Sequence, residues 1–160
     1  MMDMINGGLE YDAWYAFTVQ EEVGTRGAKA AAFTIEPDIA VVLETTTACD
    51  IAETSGAKRV CELGRGCVVS YMDRATIYDR ELYQLARSTA DKLGIANQTK
   101  TLIAGGNDSG AIHVSRGGVR TCALSVPCRY LHSPACVINE ADYLATSKLA
   151  EAVLSAFAEL

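Results

Sequence analysis

No stretch of this 160-residue chain strings together the roughly 18 apolar residues that a membrane-crossing helix needs. Its opening, MMDMINGGLEYD, has no basic segment followed by an apolar run, so no secretory leader is expected and the chain reads as cytoplasmic. Basic clusters are missing too. The 14 Lys and Arg residues are scattered against 20 Asp and Glu, for a formal charge of −6. That leaves no electrostatic footprint for a nucleic-acid backbone or an anionic membrane. The six cysteines, at positions 49, 61, 67, 122, 128 and 136, include no C-x-x-C pair and no framework spacing, which points to reduced thiols in or near the core. No G-x-G-x-x-G follows a strand, Gly64-Arg65-Gly66 lacks the third glycine, and there is no Walker loop, so nucleotide cofactors have no support. Histidine is scarce, with His113 and His132 alone.

What the chain does have is apolar material: 49% of its residues are hydrophobic, enough for the core of a single domain over residues 1–160. Ala13–Gln20 is rich in aromatic and β-branched residues and predicts a buried strand. A short helix over residues 27–33 and an almost continuously apolar strand over 38–45 follow. Residues 67–72 predict a third strand. Asp79 caps a helix whose Leu82, Leu85, Ala86, Thr89 and Leu93 recur at helical spacing until Gly94. Residues 99–104 predict a fourth strand and residues 119–126 a fifth. Asn139 caps a long last helix with Leu144, Leu149, Val153, Ala156 and Phe157 facing inward. This alternation implies an α/β layered domain with a largely parallel sheet. Ligands of such sheets bind outside the carboxyl ends of the strands.

The chemically capable residues collect at those ends. Glu21 and Glu22 close the first strand, Glu44 the second, Asp108 follows the fourth and His132 the fifth. Adjacent side chains at a strand end diverge, so one carboxylate of the Glu21-Glu22 pair can bind a metal while the other addresses a water. Taken alone, a Glu-Glu pair before glycine is more often a solvated turn, and a lone loop histidine more often structural. Glu44 ends an apolar run, where it must be solvated, paired or metal-bound, because burying it bare costs several kcal/mol. His113 reads as packing or as support for the site. GGNDSG places Ser109 after Asp108 but fits no nucleophile elbow, so a serine hydrolase is not supported.

In this order, FTVQEEVGTRGA, VVLETTTACD, GGNDSGAIH and PCRYLHSP followed by a capped helix resemble the dinuclear-metal aminopeptidases. These include glutamyl aminopeptidase and the tetrahedral aminopeptidases, and some relatives carry an endoglucanase or cellulase label. The likeness runs from about Ile5 to Phe157. It implies a three-layer α/β sandwich of the zinc-peptidase type with a largely parallel or mixed sheet. It also implies two divalent ions, zinc or cobalt, acting on peptide N-termini. By that resemblance Glu21 is the general base, and Glu22 and His132 share one metal. Glu44 is the carboxylate of the other metal, where many relatives have Asp. Asp108 and Arg129 line the site, and Asn107 stands where Thr is usual.

The resemblance covers only the C-terminal half of the family's catalytic domain. The half that supplies a histidine ligand, the bridging aspartate and an inserted small β domain has no counterpart here. Three candidate ligands over two sites fall short of the three or four that a stable zinc site has. Partial or no metal occupancy and impaired hydrolysis are therefore expected, together with self-association into a homo-oligomer through the uncovered sheet. The alternative is a non-catalytic remnant or partner module of the family. Glycoside hydrolysis is the less favoured reading, because Glu21 and Glu22 do not face one another across a sugar; Glu21 with Glu44 is the pair left open for it, with release of reducing sugar from cellulose as the test.

Overall fold

The computed structural model describes residue 5 and residues 11–160, so the reading of residues 1–10 as free of a leader lies outside it. Helix α1 (Arg26–Ile35) leads into strand β1 (Ile39–Thr47). Strand β2 (Cys67–Val69), helix α2 (Arg80–Lys92) and strand β3 (Asn97–Thr99) follow. The short helix α3 (Ser109–Ile112), strand β4 (Arg120–Arg129), strand β5 (Val137–Ile138) and helix α4 (Glu140–Phe157) complete the chain. The sheet runs β1-β4-β2-β3, with β5 paired to the end of β4. It is mixed: β1 lies parallel to β4 and β2 to β3, whereas β2 and β5 run antiparallel to β4.

The two long helices form where the sequence caps them. Asp79 accepts a hydrogen bond from the Leu82 amide at 3.0 Å, and Asn139 accepts one from the Ala141 amide at 2.8 Å. Leu82, Ala86 and Ala90 make one buried face of α2; Leu149, Val153 and Phe157 do the same for α4. Both faces close on Cys67 and Val69 of β2 and Cys122 and Leu124 of β4. Side chains alternate across a strand. Ile39, Val41 and Leu43 of β1 therefore pack toward this core, and Glu44, in register with Ser125, turns to the opposite face. There α3 meets β1 and β4, with α1 packed against it. The result is helices, sheet, helices, the layering expected of the α/β class.

The same helix α4 buries a charge. Asp142 is 1% exposed, and its carboxylate accepts from the Gly64 and Gly66 amides at 2.7 and 2.6 Å, so its burial is compensated. Gly66 has φ of +85°, and a Cβ there would lie 2.0 Å from the Ala96 carbonyl oxygen. No other residue fits that position.

Several boundaries differ from the sequence reading. Ala13–Gln20 is not a strand: it pairs with nothing among the described residues, and Trp14, Phe17 and Val19 are 76%, 68% and 65% exposed. Its apolar, β-branched composition reports a preference for burial, but a strand also needs a neighbour to hydrogen-bond. The outer edge of β1 has no partner among the described residues either. Between that edge, Tyr15, α1 and the end of α4 lies a cleft of about 810 Å³. The third strand stops at Val69, after which Met72 makes a single bridge to Ile77. The fourth covers residues 97–99, not 99–104. Leu144 faces outward at 48% exposure, because the inward stripe runs through Ala145, Leu149 and Val153.

Candidate active site

Segment 13–20 ends in a tight single turn, Glu21–Val23, bounded by Gln20 at φ 60° and Gly24 at φ 108°. Thr25 follows at φ 50°. On the far side, the loop after β4 carries Tyr130 and His132, at φ 62° and 61°. Left-handed backbone at non-glycine residues is strained, and such strain gathers at functional sites. The two strained loops meet. His132 Nδ1 lies 3.4 Å from Glu22 Oε1, both side chains mostly exposed.

Glu21 links this contact to the other acidic residues, Asp108 and Glu44. Burial raises the Glu21 carboxyl pKa, and the neighbouring charges of Glu22 and Asp108 raise it further, against a smaller opposing effect of His132. Asp108, 8% exposed, accepts a 2.6 Å hydrogen bond from Thr18 Oγ1 on its Oδ2, while its buried Oδ1 has no protein partner. Glu44 lies deeper. Its Oε1 accepts from Asn107 Nδ2 at 2.8 Å and Ser125 Oγ at 3.2 Å. Burial nevertheless raises its pKa, since Asn107, Lys100 and Ser125 offset only part of the desolvation.

Arg129 turns to the side. It grips Asp50 through two hydrogen bonds of 2.6 and 2.8 Å, holding that carboxyl down at about 2. Asp50 also accepts from the Leu63 amide, so Arg129 ties the start of the His132 loop to segment 50–63. His113 closes α3 on itself, one ring nitrogen lying 2.8 Å from the Ser109 carbonyl.

The sequence reading missed a buried chain of polar groups behind Glu44. Asn107 Nδ2 donates to Tyr78 Oη as well as to Glu44, and Tyr78 donates to Asp73 at 2.6 Å. Asp73 in turn accepts from the Ala75 and Thr76 amides. Lys100, only 8% exposed, adds a positive charge facing Glu44. Only the Asp73 turn has a local signature, an aspartate accepting from amides two and three residues on.

Glu22 and His132 bring carboxylate and imidazole donor atoms, of the kind that bind borderline divalent ions, within 3.4 Å of one another. Among the described residues, no three such groups come close enough to hold an ion by themselves.

The chain matches the family described as M42 glutamyl aminopeptidase over residues 2–149. It is 36% identical over 149 residues to lysyl aminopeptidase of Pyrococcus furiosus, which covers 92% of this chain and 42% of that protein. An aminopeptidase of the archaeon Desulfurococcus kamchatkensis superposes with a TM-score of 0.82 at 33% identity, over 84% of this chain and 39% of its own. The Pyrococcus horikoshii TET1 peptidase, described as assembling into a tetrahedron or a large octahedral shell, gives 0.72 at 35% identity, over 86% and 39%. The chain spans about two fifths of the length of the curated relatives it matches. With the family match running over nearly the whole sequence, and with relatives of this identity, the chain belongs to the M42 glutamyl aminopeptidase family.

Proposed function

We propose that this chain carries the general base and part of the metal cradle of an aminopeptidase that removes N-terminal residues from peptides. The observation that supports this most is the 3.4 Å approach of His132 to Glu22, with Glu21 next in the chain and Glu44 close behind. Glu22 and His132 would hold one zinc or cobalt ion and Glu44 would contribute to a second. A divalent ion bound there supplies Lewis acidity and a water of lowered pKa. Glu21 has a carboxyl already biased toward its protonated form by burial and by Glu22 and Asp108. That bias brings its pKa toward working pH, as suits a group that takes a proton from water and returns it to the departing amine. Asn107 and Ser125 fix the Glu44 carboxylate, and Arg129 anchors the root of the His132 loop.

Glu22, His132 and Glu44 are too few for two closed sites, so the remaining ligands must come from polypeptide outside the described residues. Hydrolysis by this chain alone is expected to be slow, with metal held loosely. The test is release of chromophore from N-terminal aminoacyl chromogenic substrates with zinc or cobalt added. Metal-stimulated turnover that drops at least about a hundredfold in Glu21→Gln supports the assignment. Equal turnover in both proteins overturns it.

A second reading, a non-catalytic partner module, is favoured by the unpaired edge of β1 and the exposed Trp14 and Phe17. Under it the cradle is a vestige. The same assay then gives no turnover in either protein at any metal concentration.

A further inference from the structure

We propose that Cys128 and Cys136 are a redox-active thiol pair whose reversible disulfide tightens the loop carrying His132. The two residues bracket that loop: Cys128 lies near the end of β4, and Cys136 immediately precedes β5. In the ladder Cys128 faces Ile138 and Arg129 faces Val137. Cys136, two residues before Ile138, therefore lies on the same face of the ladder as Cys128 and diagonal to it.

The side chains agree with the backbone. Cys128 Sγ is 3.4 Å from the Arg129 carbonyl oxygen, and Cys136 Sγ is 3.3 Å from the carbonyl of Tyr130, the next residue along. Burial, followed by the Cys136 thiol, raises the Cys128 thiol pKa. The register thus puts the two side chains on one face of one hairpin. Their environments differ sharply, since Cys128 is 1% exposed and Cys136 is open to solvent. Such an arrangement suits an accessible thiol that is oxidised first and a sheltered one that resolves it.

The chemistry balances with a peroxide as oxidant. The Cys136 thiolate attacks one oxygen of hydrogen peroxide, the O–O bond breaks and hydroxide leaves, giving a sulfenic acid. The Cys128 thiol gives up its proton as its sulfur attacks the Cys136 sulfur. The S–O bond breaks, and the departing hydroxide takes that proton to become water. Two thiols have lost two electrons and two protons, and one peroxide has become two waters.

Closure does mechanical work on the loop. Diagonal neighbours in an antiparallel pair sit roughly 7–8 Å apart at Cα, just beyond the usual disulfide range of about 4.4–6.8 Å. The strand β5 is two residues long and exposed, so Cys136 can move inward while β4, buried along its length, stays in place. Residues 130–135, His132 among them, must follow.

The test compares the chain after dilute hydrogen peroxide with the chain kept in dithiothreitol. The expected products are an intact mass lower by two hydrogens, a cross-linked peptide joining Cys128 to Cys136, and reversal by thiol. With only two histidines in the chain, proton spectra resolve the loop directly. The His132 ring signal should shift on oxidation and that of His113 should not. Cys136→Ser, at an exposed position, should leave Cys128 fully alkylatable after peroxide and denaturation, with His132 unmoved. The proposal is overturned by a cross-link through any other cysteine, by Cys136 passing to the sulfinic acid with Cys128 still a free thiol, or by a Cys128–Cys136 link that leaves the His132 signal where it was.

Discussion

Glu44 holds the balance between hydrogen bonding and burial. Two donors reach its Oε1 and Lys100 faces it, yet the pKa stays above the ordinary carboxylate value, so desolvation exceeds the compensation. A raised carboxyl pKa means that the folded state keeps its proton longer than the unfolded state does. The cost of the charge is absent below the unfolded value, grows as pH rises through it, and is complete above the folded value. Glu44→Gln keeps an oxygen for Asn107 and Ser125 and removes the charge. Its melting temperature should match wild type near about pH 4 and exceed it near about pH 7. Curves that stay parallel across that range would show that Glu44 is not held against its solvation. Glu21, Glu22, Glu44, Asp108 and His132 stood out as candidates because each is a polar residue following an apolar run. The Asp73–Tyr78–Asn107 chain did not, because its members are joined by distance in space and by no spacing in sequence.

Among the elements, the capped ones were the easiest to read. Asp79 and Asn139 announce α2 and α4, whose apolar stripes fix the buried faces, and the apolar runs of β1 and β4 follow from burial on both sides of the sheet. Segment 13–20 fails for a reason that lies outside its own residues. Composition reports what a strand would bury, whereas its hydrogen bonds depend on a neighbour that the described residues do not provide. Three hydrogen bonds hold it: Thr18 to Asp108 at 2.6 Å, the Gly27 amide to the Val19 carbonyl at 3.0 Å and the Arg26 amide to the Gln20 carbonyl at 3.3 Å. Gly27 is needed there, since a Cβ would lie 2.5 Å from the Val19 backbone. Amides 13–17 should therefore exchange with deuterium within about tenfold of the rate of an unstructured peptide, while those of β4 are strongly protected. Protection of 13–17 comparable to β4 would mean that the segment is paired in solution.

At the scale of the whole molecule, the outer edge of β1, without a partner among the described residues, a cleft of about 810 Å³ and the exposed apolar side chains of segment 13–20 lie on one side. A free edge of this kind invites pairing with another chain. Sedimentation velocity at micromolar concentration should show association that grows with protein concentration, and a clean monomer throughout would remove the case for a homo-oligomer. The opposite side, where α2 and α4 cover the sheet, is closed and gives no reason to associate. The likeness to TET peptidases that form shells concerns proteins more than twice this length, so the contacts of those shells do not transfer to this edge. The lone indole of the chain, Trp14, stands in water on segment 13–20 beside that edge. It is a built-in optical gauge: red-emitting while the segment is loose, and blue-shifted and brighter once a companion strand closes over it. Completion of the sheet would thus show as a change of colour with no label attached.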